Sequence, residues 1–263
     1  MKNTRDLQYM TWKEIEEIYK KDPVMIIPVG SMEQHGPHSI VGDFIAAEEV
    51  ARKTAESSEN TYVLPVIPFG YSENFRGFPG TISISPETLK SLLYDVCESL
   101  IEHGVTKITI FNGHGGNSTI IDELGKKIRR DKKILISKID LWRSLSPKFK
   151  AELCENPLEE FGHGGEPMTS MMKYLKPDMA RPDLLEEYTY DGKWKGYKAS
   201  GTSKLKFDDY LVHIYFDTKD MDELGAVSNP LNASEEKGEK MINKVTENCK
   251  KLVEFLHSID TRL

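Results

Sequence analysis

Apolar and polar positions alternate along the chain in blocks that predict strands followed by helices. Residues 24–29 form a short apolar run that ends in a charged, glycine-containing turn, which is the pattern of a buried strand. Residues 44–53 then keep helical composition and apolar spacing, and Asp43 is available as the N-cap of that helix. The beginning of the chain therefore predicts one strand–helix unit.

The same order recurs further along the chain. The Ser-Pro-Glu sequence at 85–87 is a typical helix start, and leucines at helical spacing follow it until Gly104. A β-rich run at 107–111, a helical pattern at 120–130 and another apolar run at 134–139 come next. Strands that alternate with helices predict a mostly parallel sheet with helices on both faces. We therefore expect an α/β protein, a three-layer α/β/α sandwich.

The rest of the chain adds to this picture without dividing it. Residues 183–220 are polar with scattered aromatics, which favours strands over helices, and 235–259 has the pattern of an amphipathic helix packed outside the sheet. The sequence contains no linker-like stretch, repeat or break in composition. We expect a single domain over residues 1–263.

Composition and charge exclude several classes of protein. The net charge is −7 without a basic stripe, so nucleic acid is not an expected partner. No apolar run approaches the roughly 18 residues of a membrane span, and the polar N-terminus does not resemble a signal peptide. The three cysteines are far apart and predict reduced thiols, so we expect a cytoplasmic location and no membrane association.

Four polar clusters follow predicted strands or lie in turns. They occupy residues 31–38 (SMEQHGPH), 78–81 (FPGT), 112–117 (NGHGGN) and 162–166 (GHGGE). Reactive groups of open α/β sheets gather where the carboxyl ends of the strands meet the following loops. Five of the seven histidines lie in or near these clusters: His35, His38, His103, His114 and His163.

These residue types point to metal chemistry. Imidazole and carboxylate ligands without thiolate suit Zn²⁺, Mn²⁺ or Fe²⁺. Glu33 and His35 are two residues apart, so on an extended segment they face the same way. The two oxygens of Asp43 can bridge two cations, and a pair of cations activates water while polarising a carbonyl. We expect a two-metal hydrolytic site built mainly from Glu33, His35, Asp43 and His114.

Each cluster taken alone has a simpler explanation. A histidine in a glycine-rich loop is more often a hydrogen-bonded turn residue than a ligand, and Asp43 could serve only as a helix cap. Residues 112–117 could be a tight turn or a phosphate cradle at a helix N-terminus. The occurrence of all four clusters at such positions favours a functional site.

The motifs resemble those of the creatininase (creatinine amidohydrolase) family. That family carries Glu-x-His-Gly-Pro-His followed by an Asp, which stand here at 33–38 and Asp43. Its Asn-Gly-His, Phe-Pro-Gly-Thr and His-x-Gly…Thr-Ser motifs are found at 112–114, 78–81 and 163–170. A fifth similarity covers 225–238, so the resemblance extends over about residues 24–240.

The resemblance implies an α/β/α fold, a homohexamer as in several members, and a binuclear zinc or manganese site, while the ligand types also allow iron. Glu33 and His114 would hold one metal ion and His35 the other, with Asp43 bridging both. His163 matches the catalytic histidine of the family, a proton shuttle to the leaving group. No other cofactor is implied.

The chain departs from creatininase proper directly after His114. That enzyme has a Tyr and a metal-binding Glu there, and this chain has Gly115 and Gly116. Glu166 is the nearest replacement in sequence, so we expect it to serve as a ligand and in catalysis. Members with the Asn-Gly-His-Gly-Gly-Asn motif include a formamidopyrimidine deformylase, a peptide-trimming protein and a hydrolase that opens an oxidised inositol ring.

The expected reaction is hydrolysis of a small-molecule substrate in which metal-activated water attacks a carbonyl. A small, cyclic amide such as creatinine, or a formamide, is the first candidate. One alternative is ring-opening C–C hydrolysis of a cyclic diketone related to 3-dehydro-scyllo-inosose. Another is a non-catalytic module that binds a sugar or nucleotide.

Overall fold

The computed structural model describes residues 4–185 and 187–263. Its α-helices are α1 (Trp12–Tyr19), α2 (Asp43–Glu56), α3 (Pro86–Glu102), α4 (Ser118–Lys132), α5 (Pro147–Leu153), α6 (Pro157–Glu160), α7 (Met168–Leu175) and α8 (Glu235–His257). Its strands are β1 (Val24–Val29), β2 (Thr61–Val63), β3 (Lys107–Asn112), β4 (Ser137–Asp140), β5 (Lys193–Trp194), β6 (Tyr197–Lys198), β7 (Lys204–Phe207) and β8 (Tyr210–His213). Among these helices, none is both long and apolar enough to cross a membrane.

The centre of the molecule is a four-stranded parallel sheet in the order β2-β1-β3-β4. Side chains of β1 alternate between its two faces. Val24 and Ile26 pack with residues of α2, α7 and α8, whereas Met25, Ile27 and Val29 pack with residues of α3 and α4. All five side chains are fully buried, as expected for a parallel strand covered on both sides. The predicted α/β/α sandwich with a parallel sheet is confirmed.

The sequence correctly predicts the N-cap of α3 but not the N-cap of α2. The Ser85 side chain accepts a hydrogen bond from the Thr88 amide, and Pro86 takes the first position of α3, as predicted. The prediction that Asp43 is an N-cap is wrong, because Gly42 occupies that position and Asp43 begins α2. The Asp43 carboxylate instead accepts a hydrogen bond from the Ser31 amide and approaches the end of β3. Tertiary contacts here replace the local cap.

Two boundaries in the second half differ from expectation. Strand β4 starts at Ser137 rather than at 134, because Ile134 forms an isolated bridge with Arg262. Residues 193–213 form two short antiparallel hairpins, β5–β6 and β7–β8, which agrees with the preference for strands in that region. Helix α8 packs outside the sheet against α2 and α7, as predicted.

The contact between α7 and α8 depends on a glycine. A Cβ atom at Gly238 of α8 would lie 2.1 Å from the carbonyl oxygen of Ser170 in α7. In α4, a Cβ atom at Gly125 would meet nothing closer than Ile136 at 4.0 Å. The packing of α7 on α8 therefore requires a glycine at position 238, whereas the packing around α4 does not require one at position 125.

We predict that Gly238→Ala and Gly125→Ala change stability in opposite directions. Gly238→Ala should lower the free energy of unfolding by about 1–3 kcal/mol, since α7 and α8 must move apart. Gly125→Ala should raise it by about 0.5–1 kcal/mol, because alanine has the better helix propensity. Urea denaturation of both variants and the parent measures this. Equal shifts for the two variants would contradict the packing described for Gly238.

Candidate metal centre

The loops after β1 and β3 leave the sheet side by side. Val29 and Asn112 are register partners at the ends of the two strands, and the Gly113 amide donates to the Val29 carbonyl at 2.8 Å. The Asn117 side chain holds the loops together: its amide nitrogen donates to the Gly30 carbonyl, and its oxygen accepts from the Tyr71 amide. Residues that follow two separate strands are thus brought to one place.

Glu33, Asp43 and His114 form the first group of candidate ligands. His114 Nδ1 lies 3.1 Å from Glu33 Oε2 and 3.1 Å from Asp43 Oδ2. The other ring nitrogen, Nε2, donates to the Tyr71 carbonyl at 2.9 Å. Because a carbonyl can only accept, this bond leaves Nδ1 as the nitrogen that faces the carboxylates and can bind a metal.

The electrostatics of this group fit a cation. Burial favours neutral His114, but Glu33 and Asp43 raise its pKa well above the ordinary value. Burial also opposes ionisation of Glu33, yet His114 and the neighbouring histidines lower the pKa of this carboxyl to about 2. Burial raises the pKa of Asp43. Two buried carboxylates that draw a proton onto the imidazole between them would hold a divalent ion in the same place.

Glu33, His35 and His163 form a second group that shares Glu33 with the first. Glu33 Oε1 lies 3.7 Å from His35 Nε2 and 3.8 Å from His163 Nδ1. His35 Nδ1 donates to the Glu33 carbonyl at 3.2 Å, so its Nε2 carries the lone pair toward the group. Ser72 Oγ, 2.5 Å from Glu33 Oε2, holds the shared carboxylate in position.

Gln34 determines which nitrogen of His163 carries the hydrogen. The Gln34 oxygen accepts from the Gly36 amide at 2.6 Å, and its NH₂ group donates to the Gly225 carbonyl at 3.1 Å. With the amide oriented in this way, the same NH₂ group donates to His163 Nε2 at 2.9 Å. His163 Nδ1 therefore bears the hydrogen and points it into the site.

His163 is buried and uncharged. Burial, with a contribution from His35, lowers its pKa to about 3. The ring of Phe75 stacks on it with centroids 3.8 Å apart, which holds the imidazole plane. Because the ring nitrogen that faces the site carries a hydrogen, His163 cannot bind a metal ion through that nitrogen in this tautomer.

Glu166 lines the same cavity but lies outside both groups. Its ligand atoms group with those of Cys154 and Glu160. Glu166 Oε1 accepts from Ser170 Oγ at 2.6 Å, whereas Oε2 has no hydrogen-bond partner among the described residues. A hydrogen bond from the Glu166 amide to the Glu160 carbonyl folds the segment back on itself, and the Glu166 carboxylate groups with Glu160 rather than with Glu33. Its role as a ligand stays a prediction.

Gly116 cannot carry a side chain in this structure. A Cβ atom there would lie 2.1 Å from the Tyr71 carbonyl oxygen and 2.5 Å from His114 Nε2. The glycine thus makes room for the hydrogen bond that orients His114. A glutamate at this position, as in creatininase proper, would displace both partners. At Gly115 an added Cβ would meet nothing within 4 Å.

The remaining predicted residues lie around the site or away from it. His38 is buried beside it, with Nε2 3.0 Å from Thr169 Oγ1. Thr81 of the 78–81 turn accepts from the Gln34 amide and supports the first loop. His103, which lies near the polar clusters only in sequence, is the exposed C-cap of α3 and belongs to neither group of candidate ligands.

Sequence reasoning missed the contributions of Tyr71 and Ser72. Tyr71 acts through its main-chain carbonyl, which any residue would supply, so its side chain carried no signal. Ser72 stands beside Glu73 and Asn74, a polar stretch that is typical of a cavity rim. Only its distance to Glu33 shows what it does.

The candidate metal centre lies in a cavity of about 570 Å³. This volume falls within the range of small-molecule sites. Several segments that are distant in sequence supply its walls, and its lining includes Tyr71–Phe75, Gly113–Gly116, Trp142, Arg143, Lys150, Phe161–His163, Glu166–Met168 and Ser200–Lys204.

We predict that Gly116→Ala weakens metal binding and that Gly115→Ala does not. The new methyl group at 116 would push His114 away from the Tyr71 carbonyl, and loss of such an orienting contact costs about 10–100-fold in metal affinity. Gly115→Ala is the matched control because its methyl group has free space. Titration with Zn²⁺ or Mn²⁺ by calorimetry compares them. Equal affinities would show that His114 orientation does not depend on Gly116.

We also predict an acid-dependent loss of stability due to His38. Burial lowers the pKa of His38 to about 4, so below pH 6.5 the unfolded chain binds a proton there that the folded chain does not. Stability must therefore fall as pH falls through this window, by about 2 kcal/mol between pH 7 and pH 5. His38→Gln should remove that part of the fall. Denaturant titrations at both pH values measure it, and an identical pH dependence in both proteins would refute it.

Comparisons with known proteins agree with this geometry. The family model described as creatininase, creatinine amidohydrolase, matches residues 8–253. Creatinine amidohydrolase from Pseudomonas putida is 29% identical over 197 residues, covering 68% of this chain and 75% of that protein. 3-Dehydro-scyllo-inosose hydrolase from Thermotoga maritima is 32% identical over 203 residues, covering 74% and 62%. Mycofactocin precursor peptide peptidase from Mycolicibacterium smegmatis is 25% identical over 239 residues, covering 89% and 85%.

Solved structures show the same fold. A mutant creatininase of the Zn-Zn type superposes with a TM-score of 0.80 at 24% identity, covering 95% of this chain and 97% of the other. A structure described as creatininase Mn gives 0.78 at 24% identity, covering 95% and 98%. The family match over most of the chain, together with these similarities, shows that the chain belongs to the creatininase family of metal-dependent hydrolases.

Proposed function

We propose that the chain hydrolyses the carbonyl of a small amide at a pair of divalent ions, zinc or manganese, with iron as a further option. The observation that carries this proposal is the pair of ligand groups that share Glu33. Residues 1–263 act in it as one metallohydrolase domain. When bound, such ions lower the pKa of water and polarise a substrate carbonyl.

The two groups divide the work of holding the ions. Asp43 and His114 would hold one ion and His35 would hold the other, with a carboxylate shared between the two groups. The family resemblance assigns the joining role to Asp43, whereas the distances favour Glu33, which directs one oxygen toward each group. Counting the metal ions bound by Glu33→Ala and by Asp43→Ala separates these assignments, because loss of the joining carboxylate should release both ions.

His163 acts as the proton-transfer group. Its Nδ1–H faces the site, Gln34 holds its Nε2, and its low pKa keeps it neutral at physiological pH. It takes up the proton released by the attacking water, and the resulting imidazolium gives its Nδ1 proton to the departing nitrogen, which returns the imidazole to its neutral form. Glu166 lies outside both groups, so its predicted role as ligand and catalyst needs movement of the segment that carries it.

The substrate proposed first is a small, cyclic amide such as creatinine, or a formamide. A second candidate is ring opening of an oxidised inositol, and the hydroxyl and amide groups that line the cavity favour it: Asn74, Ser200, Thr202 and Ser203. Such groups can hydrogen-bond a polyhydroxylated ring, and the Thermotoga maritima relative is named for that chemistry. We further propose that the protein is cytoplasmic and forms a homohexamer. Light scattering of the purified protein tests the number of subunits.

We predict close to two divalent ions per chain and distinct effects of four substitutions. His163→Ala should keep both ions and lose about 10²–10⁴-fold in turnover. Of Glu33→Ala and Asp43→Ala, the variant at the joining carboxylate should lose both ions. Glu166→Gln should weaken one ion only if Glu166 reaches it. Elemental analysis measures occupancy, and hydrolysis of creatinine, formamides, lactams and inososes measures turnover.

His103→Ala is the matched control, because it removes an exposed histidine outside the site. It should leave occupancy and turnover unchanged. Absence of bound metal after purification with added Zn²⁺ or Mn²⁺ would refute the two-ion proposal. Normal activity per bound metal in His163→Ala would instead assign the proton transfer to another group.

A further inference from the structure

One wall of the cavity carries positive charge. The segment after β4 contributes Arg143 and Lys150, and Lys204 of β7 contributes a third basic residue to the lining. The chain as a whole has a net charge of −7, so a cluster of basic residues on one cavity wall differs from the overall charge of the protein. They line the same space as the candidate metal centre.

Lys150 is held in this wall without a carboxylate partner. It lies on α5 and is half-buried, with its ammonium nitrogen 4.6 Å from the ring centroid of Phe161. No carboxylate oxygen of the described residues lies within 4.0 Å of this nitrogen, whereas Lys148 on the same helix reaches Glu152. Burial lowers the pKa of Lys150. The aromatic contact offsets only part of the cost of burying this charge, so the ammonium can still gain from an anion.

The acidic residues of the lining do not neutralise this wall. Glu73 is already paired with Arg76 at 3.1 Å. Burial raises the pKa of Glu166, whose Oε1 accepts from Ser170. Glu33 and Asp43 belong to the candidate metal centre. Two bound divalent ions would offset their charge and make the cavity more attractive to anions.

The second cation on this wall is also available. Arg143 is mostly exposed, and its one ion pair among the described residues, with Asp140, is long at 3.8 Å. Its neighbour Trp142 donates from the indole nitrogen to the Gly113 carbonyl, which fixes the start of the segment beside the metal centre. An ammonium and a guanidinium on one wall can share the two oxygens of a carboxylate.

We propose that Lys150, assisted by Arg143, binds a carboxylate of the substrate, so that the substrate class is small amides that bear a carboxylate. N-acyl amino acids and carboxylated lactams belong to this class. Phe161, whose ring contacts the Lys150 ammonium, lies two residues before His163, and all three residues line the same cavity. The carboxylate would orient the amide toward the metal centre without taking part in bond cleavage. This inference rests on the proposed amide hydrolysis.

Binding of two probes that differ only in charge tests the inference. N-Formylglycine carries a carboxylate, and N-formylglycinamide is its neutral counterpart. Calorimetry on the metal-loaded His163→Ala protein measures binding without turnover. Adding Lys150→Met, which keeps most of the aliphatic side chain and removes its charge, should weaken N-formylglycine binding about tenfold, or about 1.4 kcal/mol. It should change N-formylglycinamide binding less than about twofold.

Lys148→Met is the matched control, because Lys148 lies on the same helix with a side chain that is 88% exposed. It should change the binding of neither probe. An equal effect of Lys150→Met on both probes, or no binding of N-formylglycine, would overturn the carboxylate subsite. Lys150-dependent binding of methyl phosphate in place of N-formylglycine would also overturn it, in favour of a phosphate ester.

Turnover separates this inference from the proposed function. In the His163-containing protein, Lys150→Met should raise KM for N-formylglycine and leave kcat nearly unchanged, because the contact is the same before and during the reaction. Hydrolysis of neither probe, with Lys150-dependent binding intact, would count against amide hydrolysis and leave the subsite standing. Hydrolysis of both probes with equal KM would support amide hydrolysis and count against the carboxylate subsite.

Discussion

The position of His114 between Glu33 and Asp43 is the interaction on which the rest of the site depends. The imidazole is held from behind by a main-chain carbonyl and faces two buried carboxylates in front. Two like charges this close are tolerated in a buried place only with positive charge between them. A proton on the imidazole supplies it in the metal-free chain, and a divalent ion would supply it in the proposed metal-bound form. The same electrostatic demand thus explains both the buried charges and the need for a metal.

This arrangement requires an unusually close approach of backbone segments. A Cβ atom at Gly30 would lie 2.5 Å from the Phe44 Cα atom and 2.6 Å from Asp43 Oδ1. A Cβ atom at Gly70 would lie 2.5 Å from the Gly30 carbonyl oxygen. Together with Gly116, these positions bring the first turn of α2 and the loop before Ser72 onto the ends of β1 and β3. Absence of side chains here is what allows the polar groups to meet.

The sheet and four of the candidate ligands could be predicted because both follow from simple regularities. Apolar runs bounded by glycine-rich turns located β1 and β3, and the parallel order placed their carboxyl ends together. Glu33 and His114 were therefore predictable as neighbours. Glu166 was harder, because the fold-back of the 160–166 segment depends on backbone bonds that sequence spacing does not reveal. The prediction that Asp43 caps α2 was wrong because its carboxylate binds the amide of Ser31, which is distant in sequence, instead of an amide of its own helix.

The orientation of His163 could not be predicted at all, since it depends on Gln34 and Gly36 in one segment and on Gly225 in another, both far from His163 in sequence. Glu33, in contrast, has a consequence that reaches beyond its own position. In the proposed two-ion centre, a carboxylate that belongs to both ligand groups would make the affinities of the two ions interdependent. The first ion to bind would fix the Glu33 rotamer for the second, and it would also withdraw part of the negative charge that the second ion meets. By linkage the effect would be reciprocal: if preorganisation dominates, the two ions would bind together in one step, and if charge repulsion dominates, they would bind in two separate steps.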